Sequence, residues 1–236
     1  MKLNISESKL DVAQNFAKYL QGLVANRSEV HIALSGGSTP KIVFDELATE
    51  YHDSINWDRV HLYWGDERCV PPNDSESNYK MTVDHLLSKI DIPEGNVHRI
   101  YGENLPKEEA IRYSEVLESR LPHFDGVPQF DLVILGMGDD GHTASVFPYN
   151  IHLWDSGNLC EVAVHPDSGQ KRITITGKVI NNAKKVAFLV TGVGKMEKVR
   201  EIVNRKGNFG SYPAALVDPK SGDLDWFLDG AAARGL

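Results

Sequence analysis

Cysteine is nearly absent from this chain: Cys69 and Cys160 are the only two among 236 residues. Two thiols are too few for a disulfide framework, and they read as reduced groups in a cytosolic protein. No run approaches the roughly 18 apolar residues of a membrane-spanning helix. The opening Met-Lys-Leu-Asn-Ile-Ser-Glu-Ser also holds no apolar signal core. A cytoplasmic location without a membrane partner is therefore expected. Positive charge is in deficit as well, with 25 Lys and Arg against 33 Asp and Glu and a net charge of −8. Such a chain does not easily form a basic face, so nucleic acid is not an expected partner. An anionic ligand would have to be met by a local cluster of cations. Repeats, low-complexity tracts and linkers are missing too, so residues 1–236 are expected to form a single domain. At 41% apolar and 25% charged, the chain has the composition of a protein with a full core.

Hydrophobic periodicity then gives a succession of elements. Leu10, Ala13, Phe16, Ala17, Leu20, Leu23 and Val24 recur at helical spacing. A short strand at 30–34 runs into Ser35-Gly-Gly-Ser-Thr-Pro40, where Thr39 is expected as N-cap and Pro40 as first helical residue. Further strands are expected at 60–64, 97–100, 131–135, 159–165, 172–176 and 186–191, with a last one at 214–217 before the tail Trp226-Phe-Leu-Asp. Helices are expected at 78–89, at 107–120 and from Lys195 to about Asn204. Alternation of strand and helix predicts an α/β fold: a mostly parallel, Rossmann-like sheet with helices on both faces. The two neighbouring strands within 159–176 have no helix between them, so a small antiparallel excursion is expected there.

The richest stretch is Asp131-Leu-Val-Ile-Leu-Gly-Met-Gly-Asp-Asp-Gly-His-Thr-Ala-Ser145. A buried strand there breaks into glycines and delivers Asp140 and His142 at its C-terminal end, the edge where open α/β sheets bind ligands. A carboxylate beside an imidazole is the minimum equipment for proton transfer near neutral pH. Gly136-Met-Gly-Asp-Asp-Gly141 formally satisfies the dinucleotide fingerprint, but Asp139 and Asp140 would set two negative charges against a pyrophosphate. No metal is expected either, because no second histidine follows at ligand spacing.

Ser35, Gly36, Gly37, Ser38 and Thr39 form a strand-to-helix turn that offers backbone N–H groups and hydroxyls to an anion. Arg68, in Gly65-Asp66-Glu67-Arg68, either binds a phosphate or carboxylate or pairs internally with Asp66 or Glu67. Lys195, after Gly192-Val-Gly194, either joins an anion site at a helix N-terminus or stands solvated. Arg172 opens a strand and is the weakest of the three cations. No G-x-S-x-G elbow supplies a nucleophilic serine, and neither cysteine lies in a catalytic context. Hydrolysis here would use water activated by a histidine.

Together these segments resemble the 6-phosphogluconolactonases, part of a wider group that includes the glucosamine-6-phosphate deaminases. The matching blocks are Leu34-Ser-Gly-Gly-Ser-Thr-Pro40, Trp64-Gly-Asp-Glu-Arg68 with Ser77-Asn-Tyr79, and Gly136-Met-Gly-Asp-Asp-Gly-His-Thr-Ala-Ser-Val-Phe-Pro148. The others are Lys171-Arg-Ile-Thr-Ile-Thr176, Leu189-Val-Thr-Gly-Val-Gly-Lys195 and Trp226-Phe-Leu-Asp. They occur in the family's order, from about residue 31 to 229.

The resemblance implies an isomerase/CoA-transferase-like fold and hydrolysis of a small sugar-phosphate lactone, 6-phospho-D-glucono-1,5-lactone, without cofactor or metal. It makes His142 the general base and Asp140 the acid before it. It also makes Ser35, Gly36, Gly37, Arg68 and Lys195 substrate contacts, and Arg172 more loosely so. A monomer is expected. Deaminases carry Phe-Asn-Glu after their Asp-Gly-His-Ile-Ala motif, and here an apolar residue of Ser145-Val-Phe147 stands where that glutamate would be. A non-catalytic sugar-phosphate sensor would have lost Asp140 and His142. The lactonase motif more often reads Gly-Pro-Asp-Gly-His, and here Asp139 replaces that proline.

Overall fold

A computed structural model describes residues 1–25 and 27–236. The first half of the chain runs β1 (Lys2–Ser6), α1 (Lys9–Ala25), β2 (Val30–Leu34), α2 (Ser38–Glu50), β3 (Val60–Trp64), β4 (Asp66–Arg68), α3 (Asn78–His85), β5 (Val97–His98) and α4 (Pro106–Arg120). It continues through β6 (His123–Phe124), β7 (Val127–Pro128), β8 (Leu132–Leu135), β9 (Cys160–Val164), β10 (Lys171–Ile175), α5 (Gly177–Ile180), β11 (Val186–Val190), α6 (Met196–Asn204) and β12 (Leu224–Asp229).

β2, β8 and β11 are buried at every position. Unbroken apolar runs of this length suit parallel strands with both faces covered. They form the centre of a seven-stranded sheet ordered β1-β12-β11-β8-β2-β3-β5, in which every neighbouring pair is parallel. The chain enters this sheet's middle at β2, adds β3 and β5 on one side, then crosses back to add β8, β11 and β12 on the other. The order therefore reverses between β2 and β8, and the crevice beyond the carboxyl ends of those strands is the natural ligand site of such a sheet. Aromatic packing ties the far side together: Phe188 stacks on Trp226 at 4.1 Å, and Phe16 of α1 meets Phe227 edge-on at 5.2 Å.

The antiparallel excursion is present as the sheet β4-β10-β9, and it recruits residues 66–68, which sequence alone leaves as loop. Those three residues lack a strand's length. They pair because β10 lies alongside, with Arg68 opposite Arg172 and Asp66 opposite Thr174.

The final strand expected at 214–217 is instead a 3₁₀ turn, Pro213–Leu216. Proline at its first position presets the helical φ and removes an N–H that a ladder would need. The parallel strand is supplied by β12, in the segment read as a tail, whose residues after Leu224 are all buried. β1 carries little sequence signal: it is a five-residue edge strand, half exposed, with no strong alternation. The strand at 97–100 shrinks to β5, two residues, and the helix at 78–89 ends at His85, followed by a 3₁₀ turn Leu87–Lys89.

Candidate active site

Three chain reversals converge at the carboxyl ends of β2, β8 and β11. The first differs in detail from expectation. α2 begins at Ser38 with Gly37 as its cap, in a conformation (φ 110°) that suits glycine. Thr39 is therefore not the cap. Its hydroxyl instead meets Thr191 Oγ1 at 2.7 Å, pinning the start of α2 to the end of β11. Gly36 must be glycine because a Cβ there would overlap the side chain of Asn78. The turn 35–39 thus presents backbone N–H groups at the N-terminus of a 13-residue helix.

The second reversal carries the dyad. Asp140 Oδ1 accepts from His142 Nδ1 at 2.6 Å and from the His142 backbone N–H at 3.0 Å. That pairing makes Nδ1 the donor and leaves Nε2 as the acceptor of the neutral ring. Partial burial pushes the Asp140 carboxyl upward, but the imidazole hydrogen bond and charge outweigh it and hold the group below the usual range. Gly138 provides the space: a Cβ there would lie 2.6 Å from Asp140 Oδ1 and closer still to the imidazole. The imidazole packs on Phe147, with ring centroids 4.6 Å apart. The hairpin between them is tight, with Ala144 forced to a φ of 47°; such strain in a non-glycine residue is found disproportionately at functional sites.

The third wall is cationic. Arg68 and Arg172 face each other across β4 and β10, an arrangement of like charges that is unfavourable unless something compensates. Burial, then the charge of Arg68, holds the Arg172 guanidinium below its usual pKa, with Asp66 opposing. Nε of both arginines is buried without a hydrogen-bond acceptor among the described residues. Arg68 does donate from Nη1 to the Glu76 carbonyl, and the guanidinium of Arg172 sits over Phe147 at 5.6 Å. The internal pairing of Arg68 with Asp66 or Glu67 is accordingly not what forms. Lys195, at the end of a 3₁₀ turn before α6, pairs with Asp139 at 2.6 Å.

Ser35, Gly36, Gly37, Ser38, Thr39, Arg68, His142, Arg172 and Lys195 all line one cleft of about 250 Å³. Asp140 stands behind His142. Asp139 turns to Lys195 and Asp140 to His142, so the two adjacent carboxylates of that loop diverge.

Two residues that sequence reasoning passed over build the wall. Glu67 is buried and accepts from the N–H groups of Arg68, Asn78 and Tyr79 and from the Ser77 hydroxyl, at 2.7–3.0 Å. Burial raises its pKa, although these four donors act against the shift. Asp66, also buried, accepts from the Ser145 hydroxyl at 2.6 Å and so ties β4 to the histidine loop. The juxtaposition of Gly-Asp-Glu-Arg with the downstream Ser-Asn-Tyr was the available signal, since a carboxylate and a helix start are natural partners. Burial pushes the thiols of Cys69 and Cys160 up to about 11 and about 12, so neither is an activated nucleophile.

A parallel α/β sheet that gathers a glycine-rich turn, facing arginines and an Asp–His dyad at its switch point has the form of an enzyme site. Comparison with known proteins narrows the class. The sequence pattern described as glucosamine-6-phosphate isomerases/6-phosphogluconolactonase matches residues 5–226. The 6-phosphogluconolactonase of Haemophilus influenzae is 47% identical over 224 residues, covering 94% of this chain and 93% of that one. Among solved structures, the devB protein superposes with a TM-score of 0.94 at 43% identity, covering 98% of each chain. The 6-phosphogluconolactonase of Trypanosoma brucei superposes with a TM-score of 0.87 at 27% identity, covering 100% of this chain and 98% of that one. This chain belongs to the glucosamine-6-phosphate isomerase/6-phosphogluconolactonase family.

Proposed function

We propose that the protein hydrolyses 6-phospho-D-glucono-1,5-lactone to 6-phospho-D-gluconate, the lactone-opening step of the oxidative pentose phosphate pathway. The observation that carries this reading is the Asp140–His142 dyad, at 2.6 Å, in the same cleft as the facing arginines Arg68 and Arg172. One group handles protons and the other handles a phosphate. Small-molecule pockets run from roughly 300 Å³ upward. The cleft of about 250 Å³ is of the order of a small-molecule site.

A δ-lactone is an activated ester, so its opening asks for a positioned base and an oxyanion site more than for a covalent intermediate. The phosphate binds to Arg68, Arg172, Lys195 and the α2 N-terminus, with the Ser38 hydroxyl as a further donor, and this fixes C1 near His142. Nε2 takes a proton from a water whose oxygen bonds to C1. The tetrahedral intermediate then collapses, the bond from C1 to the ring oxygen breaks, and Nε2 returns the proton to that oxygen. Asp140, ionised and bonded to Nδ1, orients the ring and stabilises the transient imidazolium. The N–H groups of Gly36 and Gly37 are the proposed oxyanion donors.

The deaminase reading is disfavoured by Phe147. An apolar ring, buried against the imidazole, occupies the place where a relay glutamate would stand. Residues 1–236 are proposed to act as one monomeric domain in the cytoplasm, on a small-molecule substrate. That placement draws on the net negative charge and two free thiols. Among the described residues no helix is long and apolar enough to cross a membrane. The deciding experiment offers freshly prepared 6-phosphogluconolactone and, separately, glucosamine 6-phosphate. Lactone hydrolysis above the spontaneous rate with no ammonia release is expected; ammonia release alone would overturn the assignment.

A further inference from the structure

Among the described residues, Lys195 is the cation of the cleft wall that the protein engages with a full negative charge of its own. Its Nζ lies 2.6 Å from Asp139 Oδ1, a bridge from the turn after β11 to the loop after β8. The partners are unequal. Lys195 lines the cleft and is 24% exposed, whereas Asp139 is 80% exposed and reaches in from the rim. The next residue, Asp140, turns the other way to serve His142. Adjacent carboxylates are thus divided between two tasks, one on the base and one on a cation that an anionic substrate needs.

A mostly exposed carboxylate holds a lysine weakly, and its net contribution is small enough to be displaced. A phosphate monoester carries close to two negative charges and three acceptor oxygens, and it outcompetes a single carboxylate at the same ammonium. A singly charged carboxylic acid has no such advantage. We propose that Asp139 is a specificity-determining residue: an internal carboxylate that occupies Lys195 until a doubly charged phosphate displaces it. This deepens the function proposed above and rests on it. The exposed carboxylate thus sets a charge threshold at the mouth of the cleft. Once displaced, Asp139 is free to turn into solvent, because its carboxylate is already mostly exposed.

The test compares the wild type with Asp139→Asn, Asp139→Ala, Lys195→Met and the double variant Asp139→Asn/Lys195→Met, at fixed ionic strength. Steady-state hydrolysis gives KM and kcat, and calorimetric titration gives the Kd of 6-phosphogluconate, of inorganic phosphate and of gluconate. Removing the competing carboxylate should lower KM and both phosphate Kd values about two- to five-fold, the range set by a weak exposed ion pair. The effect should fall on KM rather than kcat. Gluconate binding should tighten by a larger factor than that of either phosphate, and an equal gain would overturn the specificity role. Introduced into the Lys195→Met background, the Asn substitution should change nothing, since its partner is gone.

An unchanged or raised KM in both Asp139 variants would overturn the proposal, because Asp139 would then be inert or would be holding Lys195 in its productive place. An equal gain in the Lys195→Met background would overturn it too, assigning the effect to the general field. If the wild type binds phosphate and opens the lactone while Asp139→Asn behaves like it, only this proposal falls. A wild type that neither binds phosphate nor opens the lactone refutes the proposed function along with it.

Discussion

Adding one methyl group at Gly138 should disable the protein without unfolding it. A Cβ at this position would lie 2.6 Å from Asp140 Oδ1 and nearer still to Nδ1 and Cε1 of His142, well inside any tolerable contact. The imidazole is the mobile party, held by a hydrogen bond to Asp140 and by the Phe147 ring. It would swing out and leave the dyad. A positioned general base contributes roughly 10²–10⁴-fold to such a reaction, which is about 2.7–5.4 kcal/mol of barrier. Gly138→Ala should therefore lose at least 100-fold in kcat.

Of the proposed phosphate-binding groups, those on β4, β10 and α2 lie away from this clash, so 6-phosphogluconate should still bind within a few-fold of wild type. Coupled lactone hydrolysis, calorimetric titration of the product and a thermal melt together make the assay. Gly22→Ala, in α1 with nothing within 4 Å, is the control. It should keep full activity and gain up to about 1 kcal/mol of stability from helix propensity. Activity of Gly138→Ala within two-fold of wild type would refute the steric reasoning. Loss of product binding in parallel with kcat would show that the loop, and not the dyad alone, had moved.

Glu67→Ala should cost about 3–5 kcal/mol in urea titrations, because it strands three backbone N–H groups and a hydroxyl in the interior. Arg172→Gln should raise KM on the order of 10-fold or more, the worth of a lost charge-assisted hydrogen bond to phosphate, and kcat should change far less. At the opposite end of the sheet His31, His61 and His98 stack across β2, β3 and β5. Burial, then the charge of His61, holds His98 down to about 4. A histidine whose folded pKa lies below its unfolded value of about 6.5 binds its proton first in the unfolded chain. Its contribution is therefore present above pH 6.5 and is lost as the pH falls from there toward 4. With partial solvent access discounted, His98 accounts for on the order of 2 kcal/mol of that loss. Melts at pH 7.5 and 4.5 should show a clearly smaller drop for His98→Phe than for wild type, and equal drops would refute the assignment.

The parts of the fold legible in sequence are those whose signal is local. β2, β8 and β11 read as strands because short apolar runs end in glycine, and α1 reads as a helix because its apolar residues keep a 3.6 period. The elements missed depend on partners distant in sequence. β4 is strand only because β10 lies beside it, and β1 only because β12 offers an edge. Residues 214–217 are apolar enough for a strand, yet Pro213 and the better-packed Trp226-Phe227 pair decide the competition for the sheet.

The site divides in the same way. Asp140 and His142 are two residues apart, so their contact was readable. The service of Glu67 to the start of α3, across ten residues of loop, and the hold of Asp139 on Lys195, across 56, appear only once the chain is folded. Thr39 shows how a local rule yields to tertiary structure: a good N-cap residue gives up the cap to bond Thr191, and Gly37 takes the position because its backbone can turn there.

Proton transfer by His142 is the step on which the proposed chemistry depends most directly. Initial rates of 6-phosphogluconolactone opening should be measured for wild type and His142→Ala against the spontaneous rate, with 6-phosphogluconate binding followed on both. The prediction is hydrolysis by wild type, a loss of at least 100-fold in kcat for His142→Ala, and product affinity retained by both. Turnover by His142→Ala at the wild-type rate would contradict the mechanism and remove the dyad from the chemistry of this cleft.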